Sequence, residues 1–390
     1  MSPGVVIAGG GLAGQRCAEA LRRGGYEKPV RMVCGESHRP YDRPPLSKEV
    51  LLARGSDEET LCFRSTEWYE QNAVELLLGV QACGLDDREK KLHLSDGSNV
   101  SYEHLLIATG GRARGLALFK GCANVTTLRT IEDARRLRAA LVPGARLLVI
   151  GAGFIGQEAA SAACQAGVTT TIVEAAPAPL ATVLGAELGG WFSELHRSHG
   201  VELFLDERVV GLQGQGQVDA VRLASGQSVE CDHVLVGVGI EPNLGWLDDS
   251  ELDPSGVRTD ADGRTDLPNV YAAGDAAATF DPLLGRHNLG CHWDAAGRQG
   301  ARSASAMLGL DPGPLAISSF WSDLYGTRVQ YLGHASLADD VGFDGDPNSR
   351  DFSATFTRDG QPVAVLLVAR PHMLPEARAL LTATTERIFS

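Results

Sequence analysis

The apolar positions of this 390-residue chain come in short runs, and two of those runs open the same longer pattern. In "VVIAGGGLAGQRCAEALRRGG" an apolar strand ends in a glycine turn, and helical spacing follows. After residue 145, "RLLVIGAGFIGQEAASAACQAGV" repeats that order. Further strand-like runs are "VRMVCGE", "LLIATGG", "TTTIVE" and "VYAAGDAA". The last part of the chain has another texture. "TRVQYLG", "FSATFT" and "PVAVLLVAR" read as antiparallel strands, with "RDGQ" (358–361) as a hairpin turn, and "PEARALLTATTERIF" reads as a terminal helix with Pro375 near its first turn. No uninterrupted apolar run is long enough to span a bilayer.

Both repeats satisfy G-x-G-x-x-G: Gly9, Gly11 and Gly14, then Gly151, Gly153 and Gly156. A match of this kind is weak alone. Here each follows a strand and opens a helix, the context that gives it meaning. The first glycine permits a tight turn, the second lets backbone approach a pyrophosphate, and the third lets the helix pack on the strand. The helix N-terminus then offers unpaired N–H groups and the positive end of its dipole to phosphate. Each unit also ends its second strand near an acid, Glu36 and Glu174, about 20 residues on, where a carboxylate accepts hydrogen bonds from a ribose diol. No Arg or Lys follows Glu174 in "EAAPAPL", so a 2′-phosphate would meet negative charge without a cation, and NADH is favoured over NADPH.

Two such sites imply two dinucleotides. "VYAAGDAA" (270–277) carries Gly274 and Asp275, and an Asp at the start of a helix suits a flavin ribityl hydroxyl near the pyrophosphate. Together with "LLIATGG" (105–111, containing Thr109 and Gly110), this segment resembles the flavoprotein pattern in which a late segment returns to the first domain. The expected organisation is a discontinuous FAD-binding domain (1–110 and 242–315), an inserted NAD-binding domain (111–241) and a C-terminal α+β domain (316–390), with "GIEPN" (239–243) as the crossing back. The fold class is α/β with two Rossmann-like domains.

Composition narrows the chemistry. The formal net charge of −14 favours solubility and argues against general nucleic-acid or anionic-membrane binding. The N-terminus has no secretory leader pattern. The eight cysteines are scattered, with no CxxC pair and no zinc-like cluster, so no metal is expected and the thiols read as buried groups in a reducing cytoplasm.

Over nearly its whole length the chain resembles the FAD-dependent NADH:ferredoxin reductases of bacterial oxygenase systems, within the pyridine nucleotide-disulfide reductase superfamily with its glutathione-reductase-like fold. The residues that carry the resemblance are "GGGLAG", "YDRPPLSK", "LLIATGG", "LRTIEDA", "GAGFIGQEAA", "VYAAGDAA", "HWDAAGRQG" and "FWSDLYG". It implies that "RPPLSK" lies along the flavin, with Arg43 and Lys48 near FAD and the two prolines stiffening the loop. It implies cofactor contacts at Ala13, Glu36, Lys48, Ala82, Thr109, Gly110, Arg129, Ile155, Gly239, Asp275 and Trp293. It places Glu158 at the nicotinamide, paired with Lys48, and Trp293 and Trp321 on the flavin's electron-exit side. The chain departs from the family's E-x-W pattern, since Cys291 stands two residues before Trp293.

Related disulfide reductases carry a redox cysteine or cysteine pair where this chain has "RPPLSK". Residues 39–50 contain no Cys. Electrons are therefore expected to pass from NADH through FAD to a separate iron–sulfur ferredoxin, since the chain has no cysteine arrangement for a cluster of its own. Arg298, Arg302 and Arg328 offer a basic docking face for an acidic ferredoxin. The expected protein is a cytoplasmic monomer or homodimer that binds neither nucleic acid nor membrane. Two other readings stay open: an NADH oxidase or disulfide reductase, and a slow redox-signalling flavoprotein resembling apoptosis-inducing factor.

Overall fold

The first strand, Gly4–Ala8, is buried along its whole length, and so is Val30–Cys34 beside it. Such continuous apolar runs belong to parallel sheets covered on both faces. The computed structural model describes residues 3–52, 58–248, 250–290 and 292–389. Contacts divide the chain into two units: residues 1–42, 57–112 and 241–319 in one, and 43–56, 113–240 and 320–390 in the other.

In the first unit the parallel strands run in the order Val74–Leu78, Val30–Cys34, Gly4–Ala8 and Asn99–Ile107. The late strand Val270–Ala272 adds to the same sheet, pairing in parallel with Leu105–Ile107, as the sequence predicts. The antiparallel strands Ala82–Asp86 and Lys91–Leu94 continue the sheet from the other half of Asn99–Ile107. Helices Leu12–Arg23 and Trp293–Leu308 pack closely. A Cβ on Gly300 would lie 2.0 Å from the Ala13 carbonyl oxygen, so only glycine allows this approach.

In the second unit five parallel strands run in the order Glu202–Phe204, Thr169–Val173, Arg146–Ile150, His233–Val236 and Val125–Thr126. The C-terminal segment forms a five-stranded sheet in the order Ser319–Leu324, Thr327–Gly333, Gln361–Val368, Asp351–Arg358 and Asp340–Asp346. The helix Leu374–Phe389 packs on it. The predicted 358–361 turn is present, with Asp359 and Gly360 both at positive φ (51° and 73°), the geometry that matches strand twist in a two-residue hairpin. Leu188, Phe192 and Leu195 of the helix Ala186–Arg197 share one core with Phe320, Tyr331, Phe352 and Leu366 of this sheet. The C-terminal sheet is thus built onto the unit that carries the second glycine turn.

Two expectations are corrected. Asp275 does not start a long helix: Gly274–Ala276 is a single 3₁₀ turn, followed by the hairpin Ala277–Asp281 and Arg286–Leu289. The helix begins at Trp293. The thiols are not uniformly buried: Cys17, Cys34 and Cys231 are, whereas Cys83 is exposed. Cys291 lies outside the described residues. No helix among the described residues is long and apolar enough to cross a membrane.

Candidate functional site

The three glycines of each fingerprint meet different constraints. Gly9 has φ +130°, and a Cβ there would lie 2.0 Å from the Ala108 carbonyl oxygen. A Cβ on Gly14 would lie 2.2 Å from the Gly9 carbonyl oxygen. Gly11 differs: among the described residues, nothing beyond its own chain neighbours comes within 4 Å of its Cβ position, and its φ of −83° suits any residue. The second turn repeats this. Gly151 (φ +98°) and Gly156 are closed in by backbone, while among the described residues beyond its chain neighbours only the Gly237 carbonyl oxygen, 4.0 Å away, is near a Cβ on Gly153. Protein packing therefore demands glycine at the first and third positions. At the second, the space is left for something that is not protein, at the N-terminus of a helix. That is the cradle a pyrophosphate needs.

In the first unit, Glu36 follows the second strand and accepts a 2.5 Å hydrogen bond from the Tyr41 hydroxyl. A Cβ on Gly274 (φ +73°) would lie 3.3 Å from the Ala13 Cβ and 3.6 Å from that of Ala296. The Gly274–Asp275 turn thus meets the first turns of both helices. Gln299 holds this turn by accepting from the Gly274 N–H at 2.8 Å. Thr109 and Gly110 are tied to Asn243: the Thr109 hydroxyl donates to the Asn243 carbonyl, and the Asn243 N–H donates to the Gly110 carbonyl. Trp293 opens the helix, and its indole N–H donates to Asp42 at 2.6 Å. Ala82 sits half-buried in a strand edge, with no side-chain chemistry to mark it.

In the second unit, Glu174 lies against its turn: its carboxylate accepts from the Ala152 N–H at 2.5 Å and from the Ala176 N–H at 2.8 Å. Ile155 is 40% exposed on the first turn of that helix, and Gly239 has φ +99° in an open loop. The "RPPLSK" segment belongs to this unit. Its prolines begin a 3₁₀ turn, Pro44–Ser47, where fixed φ and a missing N–H cost nothing. The turn delivers Lys48 and Ser47 to Glu158. That carboxylate is 4% exposed at its side chain and accepts from Lys48 Nζ at 2.8 Å, from Ser47 Oγ at 2.5 Å and from Ser322 Oγ at 2.7 Å. Arg43 donates to the Arg129 carbonyl at 2.6 Å, and the Arg129 N–H is fixed by Asp133, which also closes the capping box with Thr130. Trp321, half-buried, neighbours Ser322 on the strand Ser319–Leu324.

The structure therefore joins Lys48 to Glu158, as the sequence predicts, and adds Ser47 and Ser322. Ser322 lies in "FWSDLYG", yet a lone serine beside a tryptophan carries no readable signal. The basic docking face is not supported. Arg298 pairs with Asp294, Arg302 with Asp262 at 2.7 Å and with the Gly313 carbonyl, and Arg328 with both oxygens of Asp323 at 2.7 and 2.8 Å. Each guanidinium is neutralised inside its own unit. Cys34 packs against the first glycine turn, and burial with the nearby Glu36 charge pushes its thiol up to about 12. Cys62 pairs by backbone with Tyr41, and burial raises its thiol too. Neither forms a disulfide.

A family model described as pyridine nucleotide-disulphide oxidoreductase matches residues 3–300. The chain belongs to that family. A second model, described as reductase C-terminal, matches residues 319–387. The chain is similar to the benzene 1,2-dioxygenase system ferredoxin–NAD(+) reductase subunit of Pseudomonas putida, 37% identical over 336 residues, 85% of this chain and 81% of that one. It is also similar to the anthranilate 1,2-dioxygenase system ferredoxin–NAD(+) reductase component of Burkholderia cepacia, 35% identical over 393 residues, 97% and 94% of the two chains. Among solved structures, the covalent putidaredoxin reductase–putidaredoxin complex matches with a TM-score of 0.95 at 31% identity, covering 98% of this chain and 94% of that one. This oxidoreductase has FAD and NAD(H) as its cofactors, and the two open cradles, with Glu36 and Glu174 following the second strand of each unit, fit two dinucleotides.

Proposed function

We propose that this oxidoreductase passes electrons from NADH through FAD to a separate iron–sulfur ferredoxin that feeds a monooxygenase or dioxygenase. FAD, once bound, would supply hydride acceptance from NADH and release of single electrons, chemistry that belongs to the cofactor. The chain's own residues bind and align. The first glycine turn, Glu36 and Asp275 hold FAD by pyrophosphate, ribose and ribityl; the second turn and Glu174 hold NADH. Gly239 and Ile155 border the NAD site, and Arg43, Ala82, Thr109, Gly110 and Arg129 supply backbone and side-chain contacts to FAD. Lys48 and Glu158 form the charged pair at the reacting rings. With Ser47, Ser322 and Lys48 all donating to it, the Glu158 carboxylate is fixed in orientation and in turn directs the Lys48 side chain. Trp293 and Trp321 line the electron exit. The FAD domain spans 1–110 and 242–315, the NAD domain 111–241 and the C-terminal domain 316–390.

The observation that carries the ferredoxin reading is the absence of a cysteine from residues 39–50, the stretch that corresponds by resemblance to the redox-cysteine segment of disulfide reductases: Lys48 there pairs with Glu158, and Cys34, earlier in the chain, is buried with a raised pKa. The relatives named as ferredoxin–NAD(+) reductases support it. The protein acts in the cytoplasm as a monomer or homodimer, off the membrane and without nucleic acid. Stopped-flow measurement of the two half-reactions tests this. Flavin reduction by NADH, followed by reoxidation by the source organism's ferredoxin faster than by oxygen, is the expected result. Reoxidation no faster than by oxygen would refute the assignment in favour of an oxidase or a slow signalling flavoprotein.

A further inference from the structure

Gln157, beside Glu158 on the second fingerprint helix, is 1% exposed, and a buried amide needs partners. Its Nε2 donates to the Ala152 carbonyl at 3.0 Å. Ala152 is the residue between Gly151 and Gly153, and its N–H donates to Glu174. Both polar groups of the residue at the centre of the phosphate turn are therefore held by side chains. Because the amide nitrogen faces a carbonyl, Gln157 Oε1 faces outward from the turn, and His196 Nε2 lies 3.2 Å from it. An oxygen there accepts only, so Nε2 of His196 carries the proton. Its Nδ1 then accepts from the Tyr325 hydroxyl, 2.7 Å away. His196 is fully buried, and this tautomer is the one the neutral ring supplies.

Tyr325 is itself fixed at some cost. It stands with φ 52° ahead of Gly326 (φ 80°) in the hairpin between Ser319–Leu324 and Thr327–Gly333. Asn, Asp or Gly normally takes such a position, and a bulky residue there is strained. Its ring stacks on His199 at 3.9 Å, and its N–H donates to Ser161 Oγ at 2.8 Å. Strain of this kind persists where the surroundings over-determine the conformation.

We propose that Gln157 and His196 are positioning residues for NADH: with Tyr325 they form a hydrogen-bonded strut from the C-terminal hairpin to the Ala152 carbonyl, holding the phosphate turn in its binding shape. This rests on the NAD reading of the second fingerprint and assigns that site a support outside its own motif.

The test uses the FAD-loaded full chain and the variants Gln157→Met, His196→Asn and His196→Gln. Gln157→Met keeps volume and removes both hydrogen bonds. His196→Asn keeps an acceptor for Tyr325 but loses the donor to Gln157. His196→Gln keeps that donor. NAD+ affinity is measured by titration calorimetry, and KM and kcat for NADH with ferricyanide as a small acceptor. Dissociation constant and KM should rise roughly ten-fold in Gln157→Met and His196→Asn, the scale of one lost buried hydrogen bond. FAD content and kcat should stay within about two-fold, and His196→Gln, which keeps the donor to Gln157 and loses only the Tyr325 end, should show a clearly smaller rise than His196→Asn. A merely structural role would lower melting temperature and FAD content and leave NAD+ affinity alone. Unchanged affinity in Gln157→Met, or a kcat loss at constant affinity, overturns the proposal. If Gln157→Met does not fold, equal affinities in the two His196 variants overturn it. Absence of NAD+ binding by the unaltered protein would instead overturn the NAD reading on which it rests.

Discussion

Replacing Gly11 with Ala should separate the cofactor's requirement from the fold's. At Gly11 the backbone lies at φ −83°, and an added methyl meets no atom of the described residues within 4 Å beyond its own chain neighbours. Such a Gly→Ala change stabilises by about 0.4–1 kcal/mol, because the unfolded chain has less freedom to lose. At roughly 2–4 °C per kcal/mol for a domain of 150–250 residues, the apoprotein should melt about 1–4 °C higher. Gly14→Ala is the contrast. Its methyl would sit 2.2 Å from the Gly9 carbonyl oxygen, where carbon and oxygen approach no closer than roughly 3.3 Å. The turn must shift by about 1 Å, and overpacking on this scale costs about 1–3 kcal/mol or more. FAD binding should order differently from apoprotein stability. If the Gly11 methyl displaces two charge-assisted N–H···phosphate bonds at about 1.5 kcal/mol or more each, affinity falls at least about a hundred-fold. The assays are thermal melts after FAD removal and FAD titration by fluorescence. Gly11→Ala with unchanged FAD affinity, or an apoprotein melt lowered as far as in Gly14→Ala, would refute the reasoning.

Glu174→Ala with Ala175→Arg should raise the NADPH:NADH ratio of kcat/KM, and equal efficiency with both cofactors in the unaltered protein would show that Glu174 does not select. Removing either member of the Lys48–Glu158 pair should cost about 3–5 kcal/mol in denaturant titrations, because it strands a buried charge, while Lys48→Met with Glu158→Leu should cost far less; additive single effects would argue against coupling. Burial, with the His199 charge, lowers His196 from 6.5 to about 4. The unfolded chain therefore binds its proton more readily, so this stabilisation is fully present above pH 6.5 and is lost as pH falls through about 4. It amounts to about 3 kcal/mol, and unfolding free energies in that window should show the slope in the unaltered protein and not in His196→Gln.

Both glycine turns, and the acids Glu36 and Glu174 that follow the second strands, are legible in the sequence because a local spacing encodes each one. The return of Val270–Ala272 to the first sheet is legible only through the resemblance, since parallel pairing over so long a loop leaves no local trace. The Lys48–Glu158 pair is read the same way. Ser47, Ser322, Gln157 and His196 are not legible. Each acts through a partner distant in the chain, and serines, amides and buried histidines occur in many cores without such a task. The arginine docking face misreads ion pairing: Arg328 and Asp323 are five residues apart across a hairpin turn, a contact that composition does not reveal.

The pairing of Val270–Ala272 with Leu105–Ile107 also orders events in time. A ribosome reaches the late strand roughly 160 residues after the early one, some 8–30 s at about 5–20 residues per second. Until then one edge of the first sheet, with Leu105 and Ile107 along it, has no partner. The second glycine turn and all five strands of its parallel sheet emerge in that interval, ahead of the strand that completes the first sheet. Nascent chains stalled before residue 270 should present that open apolar edge to holdase chaperones, and chains released beyond it should not.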